Sequence, residues 1–213
     1  MEEILKKYPL LKKENVSRET FEGFESFISM LQKKNEEINI ISKETDKIKV
    51  IRERHIVDSA QIIDFVDLNY NKIIDIGSGG GMPGIIISIM IKSLKNSTKV
   101  HLFEKSHHKS KFLRDVSRKL KLNTEVIQEN IFEAQNLESG TIMARAFKPL
   151  PVILDLVCKN FTSYKNLILF MGKNGEKVLE ETLINWDFDF EKKKSITSED
   201  SFLLNIKNIK KKH

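Results

Sequence analysis

The residues best suited to chemistry are a carboxylate followed by glycines: Asp75-Ile76-Gly77-Ser78-Gly79-Gly80-Gly81-Met82-Pro83-Gly84. Lys72-Ile73-Ile74 ahead of them reads as a buried strand, and Pro83 can open the apolar run Ile85–Ile91 as a helix. Strand, glycine loop and helix together bring backbone N–H groups and a helix N-terminus up to a ligand. A Cβ in such a loop blocks that approach or forbids a positive φ. Gly79 to Gly84 also satisfy the G-x-G-x-x-G spacing of dinucleotide enzymes. Asp75 argues against a dinucleotide, because a carboxylate at the strand end repels a pyrophosphate.

An acid followed by Gly-x-Gly suits a cationic ligand such as S-adenosylmethionine, with its ammonium and sulfonium groups. A second strand, Lys99–Phe103, ends in Glu104 about 20 residues beyond the loop, where such folds present an acid to a ribose. The two oxygens of Glu104 can accept from the 2′- and 3′-hydroxyls together. A third strand at Glu125–Ile127 leads to Asn130-Ile131-Phe132, where a loop over an adenine falls. Phe132 either stacks on that ring or packs in the core. A fourth strand, Thr141–Ala144, ends in Arg145, and ligands gather at the carboxyl ends of strands in open α/β sheets. An apolar strand that finishes in Arg needs a partner for the charge.

The elements that must position these residues follow from periodicity. Phe21, Phe24, Phe27, Ile28 and Leu31 recur at helical steps, with Ser17 placed to cap the helix. Lys43-Glu44-Thr45-Asp46 reads as a turn into a second helix, on which Arg54 and Asp58 can pair at i,i+4. Asn166–Met171 is a fifth strand, Trp186–Phe190 and Ser201–Ile206 fit an antiparallel hairpin, and the basic stretch from Lys207 to His213 is expected to fray. The expected fold is α/β and Rossmann-like: a mostly parallel seven-stranded sheet with an antiparallel edge hairpin. Residues 1–68 form an N-terminal helical extension packed on a core of residues 69–213.

Composition narrows the function. Lys and Arg number 36 against 30 acids, a net charge of +6 that favours an anionic partner, nucleic acid first. No apolar run approaches the ~20 residues that span a bilayer, and the acidic start Met1-Glu2-Glu3 is unlike a signal segment. Cys158 is the single cysteine, so no disulfide or cysteine metal cluster forms within the chain, and no metal site is expected. These features point to the cytoplasm.

Arg54-His55-Ile56-Val57-Asp58-Ser59, the Asp75–Gly84 loop, Lys111-Phe112-Leu113 and Arg145-Ala146-Phe147 occur in this order. In this combination the chain resembles the glucose-inhibited division protein B family, bacterial methyltransferases that modify guanine N7 in 16S ribosomal RNA. Asn39-Ile40-Ile41-Ser42 resembles that family's Asn-Leu-Thr-Ser box. The resemblance implies S-adenosylmethionine as cofactor, held by Gly77 and Met82 of the loop and by the backbone of Ile131 and Phe132 beside the adenine. It also implies that Arg145 positions cofactor and substrate. With Gly79 and Glu104 from the residue reading, these are the cofactor-site candidates. Arg54, His55, Lys148 and Lys173 are the candidates for RNA contacts. The implied partner is 16S ribosomal RNA or a small-subunit assembly particle, with the chain a monomer away from membranes. His108 stands where the family usually has Lys. Asn130-Ile131-Phe132 replaces a common Arg-Ala-Glu, which leaves backbone and stacking contacts to the adenine. The rival classes are an NAD-dependent oxidoreductase, which lacks an evident hydride-transfer acid here, and a non-catalytic RNA-binding module.

Overall fold

Alternation along the central strands sorts their side chains onto two faces, and each face is covered by helices. Ile73 of β1 (Lys72–Ile76), Val100 and Leu102 of β2 (Lys99–Phe103), Met143 of β4 (Leu137–Ala144) and Ile168 of β5 (Phe161–Met171) join one apolar cluster. Ile74, Ile76, Phe103, Ile142, Leu167 and Leu169, their neighbours in sequence, join the other. This is the period-2 consequence of a pleated strand buried on both sides. The computed structural model describes residues 16–42 and 45–212. The first fifteen residues of the expected extension, and Lys43 and Glu44 of the expected turn, lie outside them.

The first face packs against α1 (Arg18–Glu37), α3 (Gly84–Ser93) and α4 (His107–Leu120), together with the segment α2, which runs Ile48–Val50, Ile51–Val57 and Asp58–Ala60. α1 begins where expected, with Ser17 Oγ accepting from Thr20 N at 3.2 Å. Its Phe24, Phe27, Ile28 and Leu31 are buried in the same cluster as Ile85, Ile86 and Phe112. The second face is covered by α5 (Leu150–Asn160) and α6 (Gly175–Asn185).

The sheet has seven strands in the order β3-β2-β1-β4-β5-β7-β6, where β3 is Thr124–Ile127, β6 Trp186–Lys194 and β7 Phe202–Lys211. β1 to β5 are parallel; β7 lies antiparallel between β5 and β6. A buried polar ladder crosses the join: Thr141 Oγ1 donates to Asn166 Oδ1 and Asn166 Nδ2 to Asn205 Oδ1, both at 2.8 Å. The strand order reverses between β1 and β4, so the crevice at their carboxyl ends is the switch point where ligands bind.

One expectation is corrected here. The basic stretch expected to fray is strand as far as Lys211, where β7 is paired with β6, Lys210 opposite Asp187 and Lys207 opposite Asp189; His213 lies outside the described residues. Opposite charges across the pair favour the ladder.

Candidate active site

A cleft of about 720 Å³ opens at the switch point, within the size range of small-molecule sites. Its floor is the glycine loop. Gly77 has φ +68°, and a Cβ there would stand 2.3 Å from the Phe147 ring, so only glycine fits between the loop and that aromatic. At Gly79 (φ +52°) a Cβ would meet only the Gly77 carbonyl, at 3.7 Å, so the backbone faces open space. Ile40, from the Asn39–Ser42 box, packs on Gly80, and Asn35 Oδ1 holds the box by accepting from Ile40 N and Ile41 N.

Glu104 lies where the spacing placed it, at the end of β2 in the cleft wall and only 8% exposed. Its Oε2 accepts from Gly79 N at 2.9 Å and its Oε1 from Ser106 N at 2.7 Å. Each oxygen keeps acceptor capacity, so a pair of hydroxyls can still be met. Opposite expectation, Asp75 does not line the cleft. It is 1% exposed; its Oδ2 accepts from Gly84 N at 3.0 Å, tying the helix start to the strand, while Oδ1 has no partner. Burial, helped by the charge of Glu104, pushes its pKa up to about 7. Asp75 is a brace beneath the loop, shielded from any ligand.

Ile131 and Phe132 line the side of the cleft beyond β3, with Ile131 buried and Phe132 38% exposed. That exposure removes core packing as the role of Phe132. Its ring stacks on Phe147, centroids 5.9 Å apart and 22° between planes. Asn160, at the end of α5, pins this loop by donating from Nδ2 to the carbonyls of Ile131, Phe132 and Ala134.

At the end of β4, Arg145 finds its partner across the molecule. Its Nη2 pairs with Asp58 Oδ2 at 2.8 Å and donates to the Arg54 carbonyl, Nη1 reaches Ser59 Oγ, and the guanidinium lies 5.4 Å from the centre of the Phe170 ring. The expected Arg54–Asp58 pair is therefore replaced by Arg145–Asp58. The cause is local: Ile51–Val57 is a π-helix in which Asp58 N donates to Glu53 O, five residues back, which upsets i,i+4 geometry. Asp58 Oδ1 also accepts from Gln61 Nε2 and Thr197 Oγ1, each at 2.7 Å, so one carboxylate joins α2, β4 and the β6–β7 loop. Ala146, at φ +49°, turns the chain so that Arg145 meets Asp58 while Phe147 packs under Gly77.

His55 lines the same cleft, and neither ring nitrogen has a protein partner. Burial, then the charges of Arg145 and Arg54, lower its pKa to about 4, so it stands neutral at physiological pH. Both nitrogens are buried, so what it offers the cleft is an uncharged ring. Met82 and the exposed Lys148 also line the cleft; Arg54 and Lys173 do not, lying instead on two adjoining cavities. Asn160, Phe147 and the Asp58 link are the members of the site that the sequence reading missed. Among the described residues, no three His, Cys, Asp or Glu side chains cluster as a metal site.

The seven-stranded sheet with its inserted antiparallel β7 is a fold found among solved methyltransferases. The fold is similar to that of a SAM-dependent methyltransferase from Aquifex aeolicus (13% identity, TM-score 0.57, 77% of this chain and 95% of that one). Residues 20–205 match the sequence profile of the GidB family, described as rRNA small subunit methyltransferase G. The chain belongs to this family. It is 82% identical, over the whole of both chains, to the Ribosomal RNA small subunit methyltransferase G of Pelagibacter ubique (strain HTCC1062). It is 32% identical to that of Paracoccus denitrificans (strain Pd 1222), over 92% of this chain and 98% of the relative. It is a methyltransferase of small-subunit ribosomal RNA.

Proposed function

We propose that the chain transfers the methyl group of S-adenosylmethionine to N7 of a guanine in 16S ribosomal RNA. The observation that carries the choice of atom is that, among the described residues at the cleft, the histidine is held away from neutral pH and the buried carboxylates are engaged by backbone N–H groups. His55 is held far below that range, Glu104 is tied to two backbone N–H groups, and Asp75 is sealed beneath the loop. Glu129 is exposed in the loop after β3, on the side of Ile131 and Phe132. Methylating N1 or an exocyclic amine releases a proton and calls for a base tuned to the working pH. N7 has a free lone pair and releases none.

The residues fit the cofactor: Glu104 is available to two hydroxyls, the glycine backbone leaves open space above Gly79, and the Phe132–Phe147 pair offers an aromatic wall. S-adenosylmethionine supplies an activated methyl group on a positively charged sulfur. The chain's contribution is placement. Gly77, Gly79, Met82, Ile131 and Phe132 hold the donor, Glu104 fixes its ribose, and Arg145, itself fixed by Asp58, orients the junction where the reacting atoms meet in line. Arg54, Lys148 and Lys173 meet RNA phosphates at the rim, and His55, its nitrogens buried, backs the RNA-binding side of the cleft with an uncharged ring. The chain works as a monomer in the cytoplasm on 16S ribosomal RNA or a small-subunit particle, with the described residues of its N-terminal extension, 16–42 and 45–68, packed on the methyltransferase core. The test is mass spectrometry of nucleosides from small-subunit RNA incubated with the protein and S-adenosylmethionine. 7-Methylguanosine is expected; a methyl group on another guanine atom or another base overturns the reading.

A further inference from the structure

Two cavities adjoin the cleft at the carboxyl ends of β4 and β5. One, of about 720 Å³, shares Arg145 and Ala146 with the cleft and is lined also by Arg54, Asp58, Phe170 and Glu199. The other, of about 550 Å³, meets the cleft through Ala146, Phe147 and Lys148 and is largely apolar, with Leu150, Ile153, Leu169 and Val178 in its wall. We propose that the first cavity is the acceptor-base subsite, taking a guanine turned out of its RNA strand, with Glu199 accepting from N1–H and N2–H₂ of the base. This rests on the guanine-N7 reading above.

One observation and two chemical requirements carry the assignment. In-line transfer requires donor and acceptor spaces to meet at one point; both cavities meet the donor cleft, this one at Arg145, so their linings decide between them. Enzymes that modify a base inside structured nucleic acid extrude it into a pocket and read its Watson–Crick edge there. With N7 directed toward the donor, that edge of guanine presents N1–H and N2–H₂, and leaving both donors unpaired costs binding. A carboxylate satisfies the two together.

The carboxylates lining the cavity are those of Asp58 and Glu199. Asp58 is committed on both oxygens, to Arg145 and to Gln61 and Thr197. Glu199, exposed in the β6–β7 loop, makes no hydrogen bond or ion pair among the described residues. The aliphatic cavity has no carboxylate in its lining and offers guanine's donor edge no anionic acceptor. Arg54, exposed at the polar cavity, is placed to meet the phosphate of the extruded nucleotide.

The experiment compares Glu199→Gln, Ser198→Trp to fill the polar cavity, and Asn174→Trp to fill the aliphatic one; all three positions are exposed. Folding is checked by melting temperature and the donor cleft by calorimetry with S-adenosylhomocysteine, both expected to match wild type. Single-turnover methyl transfer to small-subunit RNA is then measured. At saturating RNA, so that any loss of phosphate contacts at Lys148 and Lys173 is masked, Ser198→Trp should abolish it, Asn174→Trp should leave it unchanged, and Glu199→Gln should lower it by about tenfold or more, the discrimination of a lost bidentate base contact. On RNA carrying inosine at the target position, which lacks N2, the Glu199→Gln penalty should shrink. Wild-type rates in Ser198→Trp and Glu199→Gln, or loss of activity in Asn174→Trp instead, overturn the subsite. Product mapping with the wild-type protein is the separate check on the underlying reading: a methyl group elsewhere than guanine N7 refutes that reading, whereas 7-methylguanosine made at normal rate by Ser198→Trp refutes the subsite alone.

Discussion

Replacing Asp75 by Asn should make the protein more stable at pH 8, although Asp75 lies in the loop on which the site is built. The carboxyl is 1% exposed and its pKa is raised from 3.8 to about 7, chiefly by burial. Between those values the folded chain holds a proton that the unfolded chain has released, so stability falls as pH rises through the window. The loss is complete above about pH 7 and amounts to about 4 kcal/mol, from roughly three pKa units at about 1.4 kcal/mol each. Asparagine keeps a carbonyl oxygen for Gly84 N–H but sets an NH₂ where Oδ1 has no partner. An unsatisfied buried donor costs about 1–3 kcal/mol. The net gain at pH 8 is therefore about 1–3 kcal/mol, and at pH 5, where wild-type Asp75 is protonated, it should vanish or reverse. Urea denaturation followed by the fluorescence of the buried Trp186 measures both. A variant less stable than wild type at pH 8, or one whose difference from wild type is the same at both pH values, refutes the reasoning.

His55 should act with the opposite sign. Its pKa is lowered from 6.5 to about 4, so the folded chain binds fewer protons in that window and stability is lost as pH falls through it; His55→Leu should remove that loss in urea titrations at pH 4.5 and 7. Because N7 has no proton to lose and His55 is already neutral in this range, the single-turnover methyl-transfer rate should vary little from roughly pH 6.5 to 8.5, and a tenfold rise that His55→Leu abolishes would mean a base is at work. Gly77→Ala, whose Cβ meets the Phe147 ring at 2.3 Å, should cost S-adenosylhomocysteine at least about tenfold in affinity by calorimetry, and Gly79→Ala, with only its positive φ of +52° to strain, should cost less. Asp58→Asn leaves Arg145 without its anion and should destabilise by about 3 kcal/mol in urea, the low end for a broken buried pair because both side chains keep some exposure.

Much of this site was legible because its signals are local. The glycine loop, Glu104 at the end of β2 and Arg145 at the end of β4 each follow from one strand and its terminal residue, and the parallel topology then brings them to one crevice. What was hidden depends on distant partners. Asp58 and Arg145 are far apart in sequence, and the π-helical turn that frees Asp58 from Arg54 leaves no mark in an i,i+4 pattern. Asp75 looked like a ligand-facing acid because a strand end predicts position but not burial; Gly84 N and the start of α3 close over it. Asn160 was invisible at the end of an ordinary amphipathic helix, since its work is to hold the carbonyls of a loop near residue 132. The ordered end of β7 was misread because lysine runs usually mark frayed tails, and here Asp187 and Asp189 face them across the pair.

The most direct test of the account removes the atom it names. Small-subunit RNA is assembled with 7-deazaguanine, which carries a C–H in place of N7, at the mapped target position, and single-turnover methyl transfer is measured beside binding. Unchanged RNA affinity with no methyl transfer is the predicted result; transfer to the 7-deaza substrate at the rate seen with guanine would contradict it.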